Sequence, residues 1–490
     1  MSDNFKLEDT EVSVIKGLTA SDSVLKGLEI LGGISTIIKE GETVFIKFNL
    51  NNPGGFPTNT SIELLATVVK VCKQAKAEKI YLGSFPSKGI TIKNVSNLLS
   101  LEDYFKNLGA ELVFLDRSDL FDQKKLTPEQ LNKIKNESFS KLNINEKELL
   151  VPKIILDSDK LISINQVNVN PLFQINSSLL NLYSIVSPKF QEFELNNKHG
   201  EEYVLQDQYK TDLISNILDI STIKKPDLVI NDLFYILEGA GPLIYSDSNL
   251  KKTNIVIIGK NTISVDLITL KVLNLDIEKC ELIKEAYQRN ISIFDLEKIK
   301  IHGEKLDEID FNIKLCASKL EDISVKNFRV YTGHICSGCF KYAYHMLNFM
   351  KTYMVKDLKY NPNNILLIGR DPPEPENFGN IIVFGDCAIN TTQNSEFRKV
   401  LKESKKKSID DAKQKLTKKK KSQKKPKVKY QTNKQILELT GCPPDFFDCL
   451  NAFKKYYGRN NTPNLSIINE LLKILVNPND KKNLKAMEVI

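Results

Sequence analysis

The sequence predicts an α/β fold: a largely parallel sheet with flanking helices, plus a second, smaller α/β region that bears cysteines. Three observations predict it. Short apolar, β-branched runs alternate with longer helical patterns. The connections between runs are long enough for the helical crossovers that parallel strands require. Loops rich in Gly, Pro, Asn and Ser follow the runs and punctuate them.

The elements follow in order. Thr43–Phe48 (TVFIKF), after Gly41, reads as a strand, and the loop NLNNPGGFPTNT leads into a helical pattern over Ser61–Ala77. Lys79–Gly83 is a strand, GSFPSKG a second loop, Leu98–Leu108 a helix and Glu111–Leu115 a strand. Residues 120–150 are polar, open a helix at Thr127-Pro-Glu-Gln, and read as a surface excursion. Further strands are expected at Lys160–Ile164, Leu228–Asn231, Asn254–Ile258, Phe328–Tyr331, Asn364–Ile368 and Ile381–Phe384. A charged, helical stretch near 300–325 separates a domain over 1–300 from one over 325–490. No internal repeat is visible.

Composition bounds the function. Of the 490 residues 41% are apolar and 27% charged, which excludes a wholly disordered, collagenous or membrane-embedded chain. No apolar run reaches the ~18 residues of a bilayer span. The opening MSDNFKLEDTEVSVIK lacks the basic-then-apolar order of a secretory signal, so a cytoplasmic protein is expected. The net charge of +8 is local: residues 401–430 hold 14 Lys against Glu403, Asp410 and Asp411, or +11, and the remainder is −3. That stretch is too poor in apolar residues to offset the entropy of ordering, and reads as a disordered Lys-rich insertion. It is either a solvated loop or an electrostatic tether for an acidic partner or nucleic acid.

Two motifs carry a resemblance over the first ~280 residues. One is Val44-Phe-Ile-Lys47-Phe-Asn49-Leu with Thr58 and Thr60; the other is KPDLVINDLFYILEGAGP, Lys225–Pro242, followed by Ile257-Ile-Gly259-Lys-Asn-Thr-Ile-Ser-Val265-Asp266. Together they resemble the domain of unknown function 362 family. The resemblance implies lysines in a central segment, in Lys-x-His and Lys-Asn patterns. Here that segment reads Ile164-Asn-Gln-Val-Asn-Val-Asn170-Pro, then Leu179-Leu180-Asn181, so only Asn181 is kept. The loops after parallel strands are where α/β folds bind ligands. Lys47, Asn49, Asp232, Glu238 and Asp266 are therefore candidate ligand-binding residues. The three carboxylates are expected to converge on a divalent cation or polar substrate, or else to serve as a helix cap and a solvated turn.

Eight cysteines divide into two groups. Cys72, Cys280 and Cys316 fall in helical patterns, and Cys449 shares an apolar face with Phe446 and Phe453, so all four read as buried hydrophobes. Cys336 and Cys339 (CSGC), Cys387 (GDCA) and Cys442 (GCPP) instead stand beside Gly or Pro at strand ends and helix starts. Four such thiolates suit a [4Fe–4S] cluster, with Zn as the alternative cofactor. A thiol–disulfide pair at Cys336/Cys339 and no cofactor at all remain open. The triplet of motifs is similar to that of hydrogenase small subunits and the related subunit of NADH–quinone oxidoreductase. The family resemblance also implies association with iron–sulfur modules. His334 is either a donor to a thiolate or simply exposed. No phosphate-binding loop, HExxH or GxSxG is present.

The expected function is electron transfer, or a redox step on a ligand bound by the first domain, with an acidic redox partner such as a ferredoxin. The alternatives are a zinc-bound scaffold and a nucleic-acid-associated protein using 401–430.

Overall fold

The computed structural model describes residues 10–50, 55–86, 91–120, 127–145, 147–187, 201–291, 296–360, 363–376, 379–401 and 435–457. The fold is α/β, as the sequence predicts. Apart from Leu401, the Lys-rich insertion expected at 401–430 lies outside the described residues. No helix among the described residues is long and apolar enough to cross a membrane. The chain divides into two compact units, one formed by residues up to 197 with 211–317, the other by 198–210 with 318–468.

The first unit contains strands β1 (Glu11–Lys16), β2 (Thr43–Lys47), β3 (Lys79–Gly83), β4 (Glu111–Val113), β5 (Phe139–Ile144), β6 (Lys147–Pro152), β7 (Lys160–Gln166), β8 (Val169–Asn170), β9 (Gln174–Ile175), β10 (Leu228–Asp232), β11 (Tyr235–Gly239), β12 (Ser248–Lys252), β13 (Ile255–Gly259) and β14 (Lys300–Gly303). Eight form one sheet in the order β14-β1-β13-β10-β7-β2-β3-β4. β4, β3, β2, β7 and β10 run parallel, β13 runs against both of its neighbours, and β1 and β14 run parallel to each other. β10 and β13 are buried along their whole length, because both faces of the sheet are covered. One face packs Val44, Ile46, Leu82, Ile162, Ile164 and Ile230 against helix Ile62–Gln74, whose buried Leu64, Leu65, Val68 and Cys72 recur at helical spacing.

From β2 the chain winds one way to β3 and β4, while β7 and β10 lie on the other side. The carboxyl ends of β2 and β7 thus flank the point where the winding reverses, where doubly wound sheets take ligands.

Several expectations change. The helix expected at Leu98–Leu108 is two helices, Ile92–Leu99 and Leu101–Leu108, because Ser100 adopts a left-handed φ of 53° between them. The polar excursion keeps its helix, Pro128–Ser138, with a Thr127/Gln130 capping box, but then adds the β5–β6 hairpin. The charged stretch near 300–325 is not helical beyond short 3₁₀ turns, and it begins with edge strand β14. Cys280 precedes helix Glu281–Gln288 rather than lying in it, and Cys316 lies outside any helix, donating to the Gly241 carbonyl at 3.4 Å.

The second unit is built on four parallel strands, β15 (Phe328–Thr332), β16 (Asn364–Ile368), β17 (Asn380–Phe384) and β18 (Ile436–Leu439), in that order. Residues 201–210, expected in the first domain, group with this unit. Asp207 accepts from the Ser337 amide at 2.8 Å and from its hydroxyl, holding the start of helix Ser337–Tyr353, and Tyr209 packs directly on Gly338.

Ile162→Ala, in the middle of β7, is expected to lower stability by about 2–5 kcal/mol, read as a drop in urea midpoint. Leu18→Ala, at an 89% exposed position, should stay within about 0.5 kcal/mol of wild type.

Candidate functional site

In the first unit a buried polar network occupies the carboxyl edge beside the winding reversal. Lys47, the last residue of β2, is fully buried. Its ammonium donates to the Phe48 carbonyl at 2.9 Å, Asn181 Oδ1 at 3.0 Å and Ser84 Oγ at 3.2 Å. All three acceptors are neutral, and burial lowers the Lys47 pKa from 10.5 to about 7. Asn49 joins the same network. Its Nδ2 reaches Asn181 Oδ1 at 3.3 Å, and its Oδ1 accepts from the Gln166 amide at 2.7 Å. Asn181 Nδ2 in turn donates to Ser163 Oγ and the Ile164 carbonyl. The one element of the central lysine–asparagine pattern that this sequence keeps is therefore the residue on which Lys47 and Asn49 meet.

The three carboxylates do not converge. Asp266, inside helix Thr262–Val272, accepts from the Ser178 and Leu179 amides at 2.7 and 3.1 Å and from Asn231 Nδ2 at 3.1 Å. It caps a different helix, Ser178–Tyr183, which is the one that presents Asn181. Burial raises its pKa to about 6 against the pull of those donors. Asp232 ends β10 and is also fully buried. One of its oxygens accepts from the Phe234 amide at 2.9 Å, while Oδ2 has no partner among the described residues. Burial raises its pKa to about 7, and the negative Glu63 adds to the effect. Glu238 sits on β11, in the separate β11–β12 hairpin, and accepts from the Lys314 amide at 3.0 Å. Asp232 and Glu238 thus lie on two strands of two sheets, not at one strand end. The sequence reading missed Ser84 and Gln166 as members of the network, and neither has a motif that would reveal it.

In the second unit the four selected cysteines come together at the carboxyl ends of parallel strands. Cys336 and Cys339 follow β15, Cys387 follows β17 and Cys442 follows β18. Cys336 N-caps helix Ser337–Tyr353 and Cys339 lies in its first turn. Cys336 and Cys339 are buried; Cys387 and Cys442 are half-buried. Within each pair one sulfur accepts from the other. The Cys339 hydrogen bond pulls Cys336 below the ordinary thiol value, and giving that bond pushes Cys339 well above it. The bond from Cys442 lowers Cys387 to about 7, helped by the Arg370 cation, and Cys442 is raised accordingly. The pairs also feel each other: charge on Cys387 and Cys442 raises Cys339, and charge on Cys336 raises Cys442.

All eight cysteines are free thiols. Among the described residues, no three His, Cys, Asp or Glu stand as a ready-made ligand group around one ion. Cys72 and Cys449, by contrast, are buried among apolar side chains and raised to about 12 by burial.

The loops that carry the thiols are tied to one another. The Gly385 amide donates to the Leu439 carbonyl at 2.8 Å, and Gly385 has a φ of +87°. A Cβ on Gly385 would stand 3.4 Å from Cys339 Sγ. Gly441, at φ +123°, exchanges bonds with Asp386. The His334 backbone forms a reciprocal bridge with that of Arg370, at 2.8 and 2.7 Å. His334 therefore helps seat Arg370 through its main chain. Arg370 and Asp386 were not anticipated from the sequence, because their partners are 17 and 55 residues or more away in the chain.

A family model described as Domain of unknown function (DUF362) matches residues 44–271. That range contains Lys47, Asn49, Asn181, Asp232, Glu238 and Asp266 and none of the four clustered cysteines. No curated protein matches the chain. Among solved structures, the chain is similar to the lactate racemase apoprotein from Thermoanaerobacterium thermosaccharolyticum, with 11% identity, 98% of this chain and 94% of that chain covered, and a TM-score of 0.34.

Burial of Asp232 gives stability a defined pH dependence. Its folded pKa, about 7, lies above the unfolded value of 3.8. Its contribution is full below pH 3.8 and is lost as pH rises through about 7. Asp232→Asn is expected to flatten the fall in stability between pH 4 and 7, measured by denaturant unfolding at a series of pH values. An unchanged slope would show that Asp232 is not buried in this way.

Proposed function

We propose that the second unit binds one [4Fe–4S] cluster through Cys336, Cys339, Cys387 and Cys442, and that the protein transfers single electrons. The observation that supports this reading is the gathering of four thiols from three separate strand ends at one edge of the sheet, where their side chains interact. Sulfur is the ligand that iron–sulfur clusters take. When bound, the cluster would supply one-electron chemistry at a potential set by burial and nearby charge. The chain's own part is to hold the four sulfurs, to place the Arg370 cation beside Cys387, and to bury Cys336 and Cys339 from water.

The same reading gives the first unit a ligand and a redox step. Lys47, with a pKa near 7 and no carboxylate partner among its three bonds, would exchange a proton near neutrality or meet an anionic group. Asn49 and Asn181 would orient it. Asp266 acts through the helix it caps, and Glu238 has no part in the network. Asp232 stands apart as a buried acid whose Oδ2 has no partner among the described residues.

Zinc on the same four sulfurs is the competing reading. Full-length protein purified without oxygen decides between them. A cluster gives about four iron and four sulfide per chain with broad absorbance near 400 nm, and Cys387→Ser loses most of both. Stoichiometric zinc without sulfide overturns the cluster.

The tract at 401–430 is the candidate docking element for an acidic redox partner such as a ferredoxin. Deleting it removes +11 of charge. The expected result is weaker partner binding with a much flatter salt dependence. Binding to DNA or RNA that vanishes with the tract would favour the nucleic-acid role instead.

A further inference from the structure

Cys387 and Cys442 are separated by 54 residues in the chain, yet their side chains interact directly. No local turn can fix that spacing, and strand pairing of β17 with β18 ends at Phe384 and Leu439. Beyond those residues, the two loops are held by Asp386. Its carboxylate Oδ1 accepts from the Gly441 amide at 2.8 Å, and its own amide donates to the Gly441 carbonyl at 3.1 Å. The first bond is charge-assisted and therefore the stronger kind. Both involve the residues directly preceding Cys387 and Cys442. Gly441 reaches this position with a φ of +123°, a conformation that favours glycine.

We infer that Asp386 is a positioning residue for the metal centre, clamping the Cys442 loop onto the Cys387 loop so that two distant sulfurs face one site. The inference rests on the four-cysteine reading above and goes beyond it by naming what sets the geometry. Asp386 also contributes charge. Geometry and charge can be separated, because Asn keeps an oxygen acceptor for the Gly441 amide and loses the charge.

The test compares the full chain with Asp386→Asn and Asp386→Ala, each loaded without oxygen with iron and sulfide. Wild type and Asp386→Asn are expected to hold equal iron and sulfide. Asp386→Asn should show a higher reduction potential in a redox titration, since removing a nearby negative charge favours the more negative, reduced state. Asp386→Ala is expected to lose iron to a chelator roughly 10–100-fold more readily, with an unchanged far-UV spectrum. If Asp386→Ala holds iron as wild type does, the clamp is refuted while the cluster reading stands. Should Asp386→Ala fail to fold, an Asp386→Asn variant with wild-type loading and raised potential still supports the clamp, and one that loses iron overturns it. A wild-type chain that takes up no iron and sulfide refutes the cluster reading, and the clamp falls with it.

Discussion

Parallel strands buried on both faces leave the chain few places for polar chemistry, and the edge where the strands end is the principal one. Both units obey this constraint. In the first, β2, β7 and β10 end at Lys47, Gln166 and Asp232, and each of these side chains is almost fully buried. In the second, β15, β17 and β18 end just before the cysteines. The bodies of β7, β10, β16 and β17 are apolar because they have almost no water to face, whereas β15 and β18 are half-exposed edge strands.

What happens at the two edges differs in kind. The first is a neutralised network. An ammonium bonded only to neutral oxygens is costly to bury, and the cost appears as a pKa near 7 rather than as an ion pair. Its support is indirect: Asp266 holds the first amides of helix Ser178–Tyr183, that helix places Asn181, and Asn181 receives Lys47 and Asn49. The second edge accumulates like ligands. Four sulfurs meet there in two interacting pairs, and the Arg370 cation helps lower Cys387.

The carboxylates show how a correct chemical choice can carry the wrong grouping. Asp232, Glu238 and Asp266 all lie near strand ends or helix starts, as their neighbours in the sequence suggest. Their roles diverge because the hairpin β11–β12 leaves the main sheet directly after Asp232, taking Glu238 with it. Asp266 faces a helix that begins 88 residues earlier. The four cysteines hold together because they follow three strands of one parallel sheet, and parallel strands deliver their carboxyl ends to the same edge.

The sequence by itself did not determine β1, β14 or β18, but it determined the α/β class and the positions of β2, β3, β4, β7, β10, β13, β15, β16 and β17 to within two residues. These are local properties: burial on both faces writes an apolar run, and Gly or Pro writes the turn after it. It could not determine the direction of β13, the break at Ser100, or the partners of Asp266, Arg370 and Asp386. Those depend on contacts between residues far apart in the chain, which no window of sequence contains. The tertiary structure decided them, because strand order alone fixes which ends share an edge and which side chains must find partners there.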